Sequence, residues 1–251
     1  MQQKSNLSKL HLPLYKEDLA HIHVEGYGFH WSGAADSILE QFNRFGISSG
    51  TVVDLGCGGG QWLSRLTSKG YETLGIDVSE SMIRLAKRNA PTSRFICGSF
   101  ADVTIPACNA VTAMGEPLNY LASSTAIRRT MRNVFTALDS GGVFIFDLRG
   151  ASTEPIAARD HFKITEDWFC HARVEEDGRK NQLTRHITTF RKIKGETYRR
   201  DEEVHQLKIF PHSEVLGWLR KIGFRVRTQR SYGSYKLGPR QLVFICRKPK
   251  T

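Results

Sequence analysis

The sequence predicts an α/β fold in which helices cover both faces of a mostly parallel, doubly wound sheet. Short β-branched and apolar runs alternate with helical patterns five times between residues 51 and 147. Such alternation favours parallel strands, because each crossover helix returns the chain to the same edge of the sheet. After residue 160 polar and apolar residues alternate instead, which predicts three antiparallel strands with one solvated face. A last helix and two more strands follow.

The elements of the first half are bounded by turn and capping residues. Apolar positions at helical spacing between Ala34 and Phe45 predict an N-terminal helix. Asp139–Gly142 is predicted to be the turn before the fifth strand. The five predicted strands are Thr51–Asp54, Tyr71–Asp77, Arg94–Cys97, Ala110–Met114 and Val143–Asp147.

Composition narrows the class of protein. The chain has 251 residues, of which 40% are apolar, enough for a well-buried core. We find no apolar run behind residues 1–6 and no stretch near the roughly 20 apolar residues of a membrane helix, so we expect a soluble, cytoplasmic protein. The five cysteines form no C-x-x-C pair and the nine histidines no H-E-x-x-H pattern, so we expect no metal.

Charge is concentrated at one end of the chain. Residues 211–251 hold 10 Lys and Arg against 1 Asp or Glu, and so carry +9 of the net charge of +11. A basic region of this kind favours an anionic partner, either nucleic acid or an acidic small molecule. A solvated basic face is the plainer alternative.

A glycine-rich loop follows the first strand. Asp54 ends that strand, and four glycines occur within the five residues Gly56–Gly60 before the helix that begins at Gln61. Glycines in this position let the backbone approach a ligand closely, with a helix N-terminus pointing at it. Asp77 ends the second strand 23 residues after Asp54, near the roughly 20-residue offset of a ribose-binding acid.

Polar residues follow the other strands at the same edge of the predicted sheet. Ligands of doubly wound sheets bind outside the carboxyl ends of the strands. We therefore expect the following residues to converge there: Asp54, Asp77, Ser99, Phe100, Met114, Glu116, Asp147 and Arg149.

Three segments resemble motifs of the class I S-adenosylmethionine-dependent methyltransferases, in particular bacterial small-molecule enzymes with an antiparallel insertion. Val53–Gly60 matches the family's cofactor loop, Gly75–Met82 its ribose-binding motif, and Leu138–Gly142 its L-x-P-G-G turn, with Ser140 in place of proline. The resemblance implies a Rossmann-like sheet of seven strands with the last strand antiparallel. It also implies S-adenosyl-L-methionine as the cofactor and S-adenosyl-L-homocysteine as the product.

The resemblance implies four regions. Residues 1–49 would form an N-terminal helical cap and residues 50–149 the cofactor-binding core. Residues 150–210 would form the antiparallel insertion as a substrate cover, and residues 211–251 the last helix and final two strands.

Site residues are carried over from the matching motifs and strand ends. The family's acid after the third strand is replaced here by Ser99, so Asp102 is an alternative partner for the adenine. Glu116 and His23 are the candidates for a general base, which is needed only if the acceptor must lose a proton. Candidates for substrate binding are Tyr120, Arg149, Tyr232 and Arg240. The loop between the final two strands, which contains Tyr232 and Arg240, also contributes Tyr235 and Lys236. Candidates for cofactor binding are Asp54, Gly56, Cys57, Gly58, Asp77, Val78, Met82, Ser99, Phe100, Met114 and Tyr27.

Three functions remain open from the sequence. The first is methyl transfer to an O or N nucleophile of a small molecule, possible anionic acceptors included. The second is RNA methylation through the basic C-terminal region, although no Asn-Pro-Pro-Tyr motif follows the fourth strand, where Ala113–Glu116 stands instead. The third is a cofactor-binding module without catalysis. We expect no membrane partner, and the oligomeric state is open.

Overall fold

The computed structural model describes residues 14–151 and 157–250, so part of the predicted cap and of the predicted insertion lies outside the described residues. Six α-helices are present in the described residues: α1 Glu17–Gly26, α2 Phe29–Arg44, α3 Gln61–Thr67, α4 Glu80–Asn89, α5 Ser124–Ala137 and α6 His212–Ile222. A short 3-10 helix spans Pro117–Tyr120.

The strands form three sheets. The large sheet contains β1 Thr51–Leu55, β2 Glu72–Asp77, β3 Arg94–Cys97, β4 Cys108–Ala113, β5 Leu138–Arg149, β10 Arg225–Gln229 and β13 Gln241–Arg247. The second sheet contains β6 Arg159–Ile164, β7 Trp168–Asp177, β8 Gln182–Lys194 and β9 Thr197–Lys208. A small hairpin joins β11 Ser231–Tyr232 to β12 Tyr235–Lys236.

The seven-stranded sheet confirms the predicted fold class. Its strand order is β10-β13-β5-β4-β1-β2-β3, and β13 alone runs antiparallel, against both β5 and β10. The order reverses between β1 and β4, which sit side by side. This is the topological switch point where doubly wound sheets leave a crevice for a ligand.

The core lies on both faces of this sheet. One face packs helices α5 and α6 through residues such as Met131, Val134 and Leu219, and the other packs α2 and α3 through residues such as Phe42 and Leu63. Strands β1, β4 and β5 are buried along most of their length because both of their faces are covered.

The insertion departs from its prediction in one respect. It contains four antiparallel strands where we predicted three, because β6 pairs with β7 at the edge of the sheet. All six residues of β6 are exposed, so its sequence carries little of the burial pattern that identifies a strand.

Two turns were also predicted wrongly in detail. Residues Asp139–Gly142 lie inside β5, where the pairing with β4 jumps from Cys108–Leu138 to Ala110–Val143. The segment is therefore a bulge in the strand, with Gly141 at a φ of +83°. The connection after β10, predicted to be a plain loop, contains the β11–β12 hairpin.

Helix α1 is tied to the insertion by buried charge. The Asp18 carboxylate accepts hydrogen bonds from Arg191 at 2.9 Å and from Arg199 at 2.6 Å. Burial works to raise the pKa of Asp18, but the two guanidinium groups outweigh it and hold the pKa below its ordinary value. The N-terminal helices and the insertion thus form one cover over the carboxyl edge of the large sheet.

None of the helices in residues 14–151 and 157–250 has the length and apolar character that crossing a membrane requires.

A substitution at Gly60, the N-cap of α3, tests how closely the glycine loop packs against α4. Its φ is +78°, and an added Cβ would stand 2.9 Å from the Cα of Ala86 in α4. We predict that Gly60→Ala lowers the free energy of unfolding by roughly 2–5 kcal/mol, from about 1–2 for left-handed backbone and about 1–3 for overpacking. Urea denaturation measures this loss.

Gly70, which lies just after α3, provides the matched control. Its φ is +88°, but no heavy atom lies within 4 Å of an added Cβ. Gly70→Ala should therefore show only the left-handed contribution, about 1–2 kcal/mol. Equal losses in the two variants would contradict close packing of the loop against α4.

Candidate functional site

A cavity of about 620 Å³ opens at the carboxyl edge of the large sheet. Its floor is the glycine loop and the residues that follow β2, β4 and β5. Helix α1 and the start of α2 cover one side, while β6, β7 and β8 cover the other. The N-terminal helices and the insertion therefore enclose the edge of the sheet where a ligand was predicted.

The Asp77 carboxylate organises the floor of this cavity. Its Oδ2 accepts a hydrogen bond from the backbone N–H of Gly58 at 2.9 Å, and its Oδ1 accepts one from the N–H of Ser79 at 2.9 Å. Ser79 also caps α4, since its hydroxyl accepts from the N–H of Met82. Burial raises the pKa of Asp77, and the backbone hydrogen bonds oppose that shift.

Asp54 lies at the end of β1 beneath the loop. Its Oδ1 accepts from the Thr112 hydroxyl at 2.6 Å, and that hydroxyl accepts from the indole N–H of Trp62 at 3.1 Å. All three residues belong to different elements, so the chain of hydrogen bonds ties β1, β4 and α3 together. Burial raises the pKa of Asp54 to about 7.

Asp147 holds the loop after β4. Its carboxylate accepts from the backbone N–H groups of Gly115 at 2.9 Å and Glu116 at 2.8 Å, and from the Tyr232 hydroxyl at 3.1 Å. Burial raises the pKa of Asp147 to about 6. These bonds support Glu116 in a left-handed conformation with a φ of +66°, which is unusual for a residue with a side chain.

The Glu116 side chain is an ion-pair centre. It is buried, and its carboxylate accepts from Arg149 at 3.0 Å and from Arg185 at 2.8 Å, as well as from the amide of Gln241. Burial works to raise its pKa, but Arg185 and Arg149 outweigh it and leave the pKa below its ordinary value. Both carboxylate oxygens of Glu116 are therefore engaged by guanidinium groups.

Comparisons with known proteins agree with this geometry. Residues 52–142 match the family model described as a methyltransferase domain. The chain is 28% identical to the candidate methyltransferase YqeM of Bacillus subtilis (strain 168), over 70% of this chain and 74% of that protein. It is 23% identical to a dTDP-3-amino-3,4,6-trideoxy-alpha-D-glucopyranose N,N-dimethyltransferase of Streptomyces venezuelae, over 80% of this chain and 86% of that protein.

Solved structures share the fold. An S-adenosylmethionine-dependent methyltransferase from Clostridium acetobutylicum ATCC 824 superposes with a TM-score of 0.79 at 20% identity, covering 92% of this chain and 97% of that one. Residues 52–142 thus match a methyltransferase domain, and the chain has the fold of the S-adenosylmethionine-dependent methyltransferases.

The floor of the cavity fits the cofactor of this methyltransferase. Gly58 lines the cavity, and no heavy atom lies within 4 Å of the position that a Cβ would take there, so a ligand has access to the backbone. Asp77 presents carboxylate oxygens at the same place, where a ribose diol would find an acceptor. Gly58 and Asp77 therefore lie side by side in the cavity, as binding of S-adenosylmethionine by these motifs requires.

Most of the other predicted cofactor residues also line the cavity. They are Asp54, Gly56, Cys57, Val78, Met82, Phe100, Met114 and Tyr27, and among them the apolar side chains of Val78, Met82, Phe100 and Met114 offer flanks for an aromatic base. Ser99 does not line it, and its hydroxyl accepts from the N–H of Ala101. Asp102, the alternative to Ser99, is 65% exposed and pairs with Arg129 away from the wall.

His23 in α1 and Tyr27 just after it both line the cavity. Their rings stack with centroids 5.7 Å apart. Burial, together with the nearby His30, Arg185 and His205, lowers the pKa of His23 to about 4. The imidazole is therefore neutral over the ordinary range of pH, and it is a weak base.

The predicted substrate residues divide into two groups. Tyr120, Arg149 and Arg240 line the cavity, whereas Tyr232 is buried against Asp147 beneath it. Arg240 is held by Glu176 through two hydrogen bonds of 2.7 and 2.9 Å. Lys236 lies outside the wall, and the Tyr235 hydroxyl bonds to His30 at 2.9 Å.

Four polar residues that the sequence analysis did not single out complete the site. They are Tyr15, Arg185, Glu203 and His205. Arg185 lies opposite His205 in the pairing of β8 with β9, and both belong to the face of the insertion that looks inward. The signal that could have identified Arg185 is the two-residue repeat of a strand. Leu183, Arg185 and Ile187 are each two residues apart, so Arg185 lies on the apolar face of its strand.

No cluster of three or more His, Cys, Asp or Glu side chains with a metal-binding arrangement occurs in the described parts of the chain.

The raised pKa of Asp54 should make the stability of the folded protein depend on pH. Because the folded protein holds the Asp54 proton up to about pH 7 and the unfolded chain releases it near 3.8, this contribution to stability is lost as the pH rises through that window. The full loss corresponds to about 4 kcal/mol at most. Asp54→Asn keeps the oxygen that accepts from Thr112 and removes the titration.

We expect Asp54→Asn to gain stability relative to the unsubstituted protein when the pH is raised from about 5 to about 8. Urea denaturation of both proteins without ligand at the two pH values measures the difference. A stability difference that is the same at both pH values would contradict a buried, titrating Asp54.

Proposed function

We propose that this methyltransferase moves a methyl group from S-adenosyl-L-methionine to an O or N nucleophile of a small molecule. One observation carries the proposal: the cavity continues from the Asp77 floor to a second, polar side enclosed by α1, the 3-10 helix and the insertion. A covered pocket of about 620 Å³ suits a small acceptor. The chain also resembles an N,N-dimethyltransferase that is named for a dTDP-amino sugar, which is a small molecule.

When bound, the cofactor supplies a methyl group already activated on a sulfonium. The residues of the chain then have to align the acceptor with it. Holding two reacting atoms at about 3–3.5 Å can supply roughly 7–11 kcal/mol of the barrier. Asp77 and the glycine loop fix the donor side, while Glu116 fixes Arg149 and Arg185 on the acceptor side.

An anionic group on the acceptor finds a partner in β6. Arg159 and His161 line the cavity where the insertion covers it, and Arg159 forms no ion pair with the described residues. Arg240, on which the sequence had placed this preference, is neutralised by Glu176. We therefore assign the recognition of a carboxylate or phosphate to Arg159.

The alternative acceptor is RNA, held by the basic C-terminal region. Of the ten Lys and Arg in residues 211–251, Arg240 is the one that lines the cavity. A long polyanion reaching this site would need cations around the opening, so the small-molecule acceptor fits better.

Transfer of labelled methyl groups tests the acceptor class. The protein is incubated with methyl-labelled S-adenosylmethionine and, separately, with dialysable metabolites, RNA and protein extract. We predict label in the dialysable fraction alone. A dTDP-amino sugar and its hydroxyl counterpart, used as defined probes, then distinguish N from O.

Two variants control this assay. Asp77→Ala should raise the KM for S-adenosylmethionine by about 10- to 100-fold, and Arg159→Ala should raise the KM for an anionic acceptor by about tenfold while leaving kcat unchanged, the pattern of a lost binding contact. Glu80→Ala, an exposed residue three positions after Asp77, should behave like the unsubstituted protein. Label in RNA, with none in the metabolites, would refute the proposed function.

A further inference from the structure

We propose that the Tyr15 hydroxyl takes up the proton of the methyl acceptor and passes it along a relay of Tyr120, His205 and Glu203. This inference rests on the proposed function, since it concerns the acceptor side of the same cavity. Tyr15 and Tyr120 both line that cavity. His205 is fully buried behind them, and Glu203 is buried beside it.

The four groups are joined by an unbroken chain of hydrogen bonds. The Tyr15 hydroxyl lies 3.2 Å from the Tyr120 hydroxyl, which lies 3.1 Å from Nδ1 of His205. Nε2 of His205 lies 2.9 Å from Oε2 of Glu203. The other carboxylate oxygen, Oε1, accepts from the backbone N–H of Lys16 at 2.8 Å, so both oxygens of Glu203 are held.

The direction of each bond follows from its acceptors. An ionised carboxylate only accepts, so Nε2 of His205 carries a proton, and Nδ1 of the neutral ring must accept from the Tyr120 hydroxyl. Arg185 donates to the Tyr120 oxygen at 3.3 Å. Tyr120 has one proton and two lone pairs, so the remaining lone pair accepts from Tyr15. The Tyr120 hydroxyl then makes all three of its hydrogen bonds. Within the relay, the lone pairs that remain free to accept a proton are those of the Tyr15 oxygen.

The backbone holds Tyr15 in an uncommon conformation. Its φ is +50°, in the left-handed region that a residue with a bulky side chain rarely adopts. Its carbonyl accepts from the Ser79 hydroxyl at 2.7 Å, two residues after Asp77. Its ring meets the rings of His23 and His205 edge-on, with centroids 5.1 and 4.9 Å apart. One residue thus reaches from the cofactor floor to the relay.

His205 has a carboxylate partner, whereas His23 has none among the described residues. The groups that face the relay are Asp77 from the floor, His23 and His30 from the cover, Arg185 and Glu116 from the acceptor side, and Glu203 from β9. A proton on His23 would meet the cations of this set without a paired carboxylate, whereas a proton on His205 is directly paired with Glu203. Burial keeps the pKa of Tyr15 well above its ordinary value, so Tyr15 stays neutral and conducts the proton.

The step balances. The lone pair of the acceptor forms a bond to the methyl carbon while the carbon–sulfur bond breaks and leaves its electron pair on sulfur. The acceptor's proton moves to the Tyr15 oxygen, the Tyr15 proton to Tyr120, and the Tyr120 proton to Nδ1 of His205. The imidazolium is paired with Glu203, and the proton returns by the same path when water enters the cavity.

Nitrogen NMR of histidine-labelled protein with S-adenosylhomocysteine tests the relay without any acceptor. We predict the Nε2–H form of His205, and a shift of the Nδ1 resonance in Tyr120→Phe, which removes the bond donated to that atom. Tyr198→Phe, on the exposed part of β9, should leave it unchanged. A proton on Nδ1, or an Nδ1 resonance that does not respond to Tyr120→Phe, would overturn the relay.

Kinetics with the acceptor that takes label then separate proton uptake from structure. Tyr15→Phe keeps the ring and should lower kcat at least about 100-fold with the KM for S-adenosylmethionine unchanged. His205→Gln, which removes the final proton acceptor of the relay, should lower kcat in the same way, and the exposed His186→Gln should match the unsubstituted protein.

A kcat within twofold of the unsubstituted protein in Tyr15→Phe would refute the role of Tyr15. If no compound accepts label, the proposed function fails, and the NMR result still decides whether the relay exists.

Discussion

The Asp77 carboxylate is the interaction on which the site depends. Its two hydrogen bonds hold the N–H of Gly58 and the N–H of Ser79, and so fix the glycine loop and the start of α4 against each other. Through the Ser79 hydroxyl the same turn also holds the backbone of Tyr15, where the cover begins. The end of β2 therefore fixes the position of both the glycine loop and the beginning of the cover.

Burial of acid is the second constraint. Asp54, Asp77 and Asp147 end three strands at the switch point of the sheet, and burial raises the pKa of each. None of the three forms an ion pair with the described residues, in contrast to Glu116 and Asp18. A cationic ligand at this edge offsets the desolvation of these carboxylates, which fits a sulfonium cofactor.

The sequence predicted the sheet and the floor of the site well, because both follow from local rules. Strand and helix alternation fixes a parallel sheet, and the acids that end β1 and β2 must meet at its carboxyl edge. The prediction failed where tertiary contacts decide. The exposed β6 has no burial pattern, and Tyr232, in the hairpin that follows β10, is buried under Asp147.

The acceptor side was missed for a related reason. Tyr15 and Tyr120 are 105 residues apart, and they meet only because the cover folds over the sheet edge. His205 and Arg185 face each other through the register of β8 and β9, which no local motif specifies. Glu116 was predicted to be a site residue, but its two arginine partners come from β5 and β8 and could not be read from the local sequence.

Calorimetry with S-adenosylhomocysteine tests the central role of Asp77 most directly. The unsubstituted protein should bind, and Asp77→Ala should bind about 10- to 100-fold more weakly, which corresponds to roughly 1.4–2.8 kcal/mol and to the loss of hydrogen bonds to a charged group. The neighbouring Glu80→Ala should bind normally. Absence of binding by the unsubstituted protein, or equal affinity in Asp77→Ala, would contradict the assignment of this cavity to the cofactor.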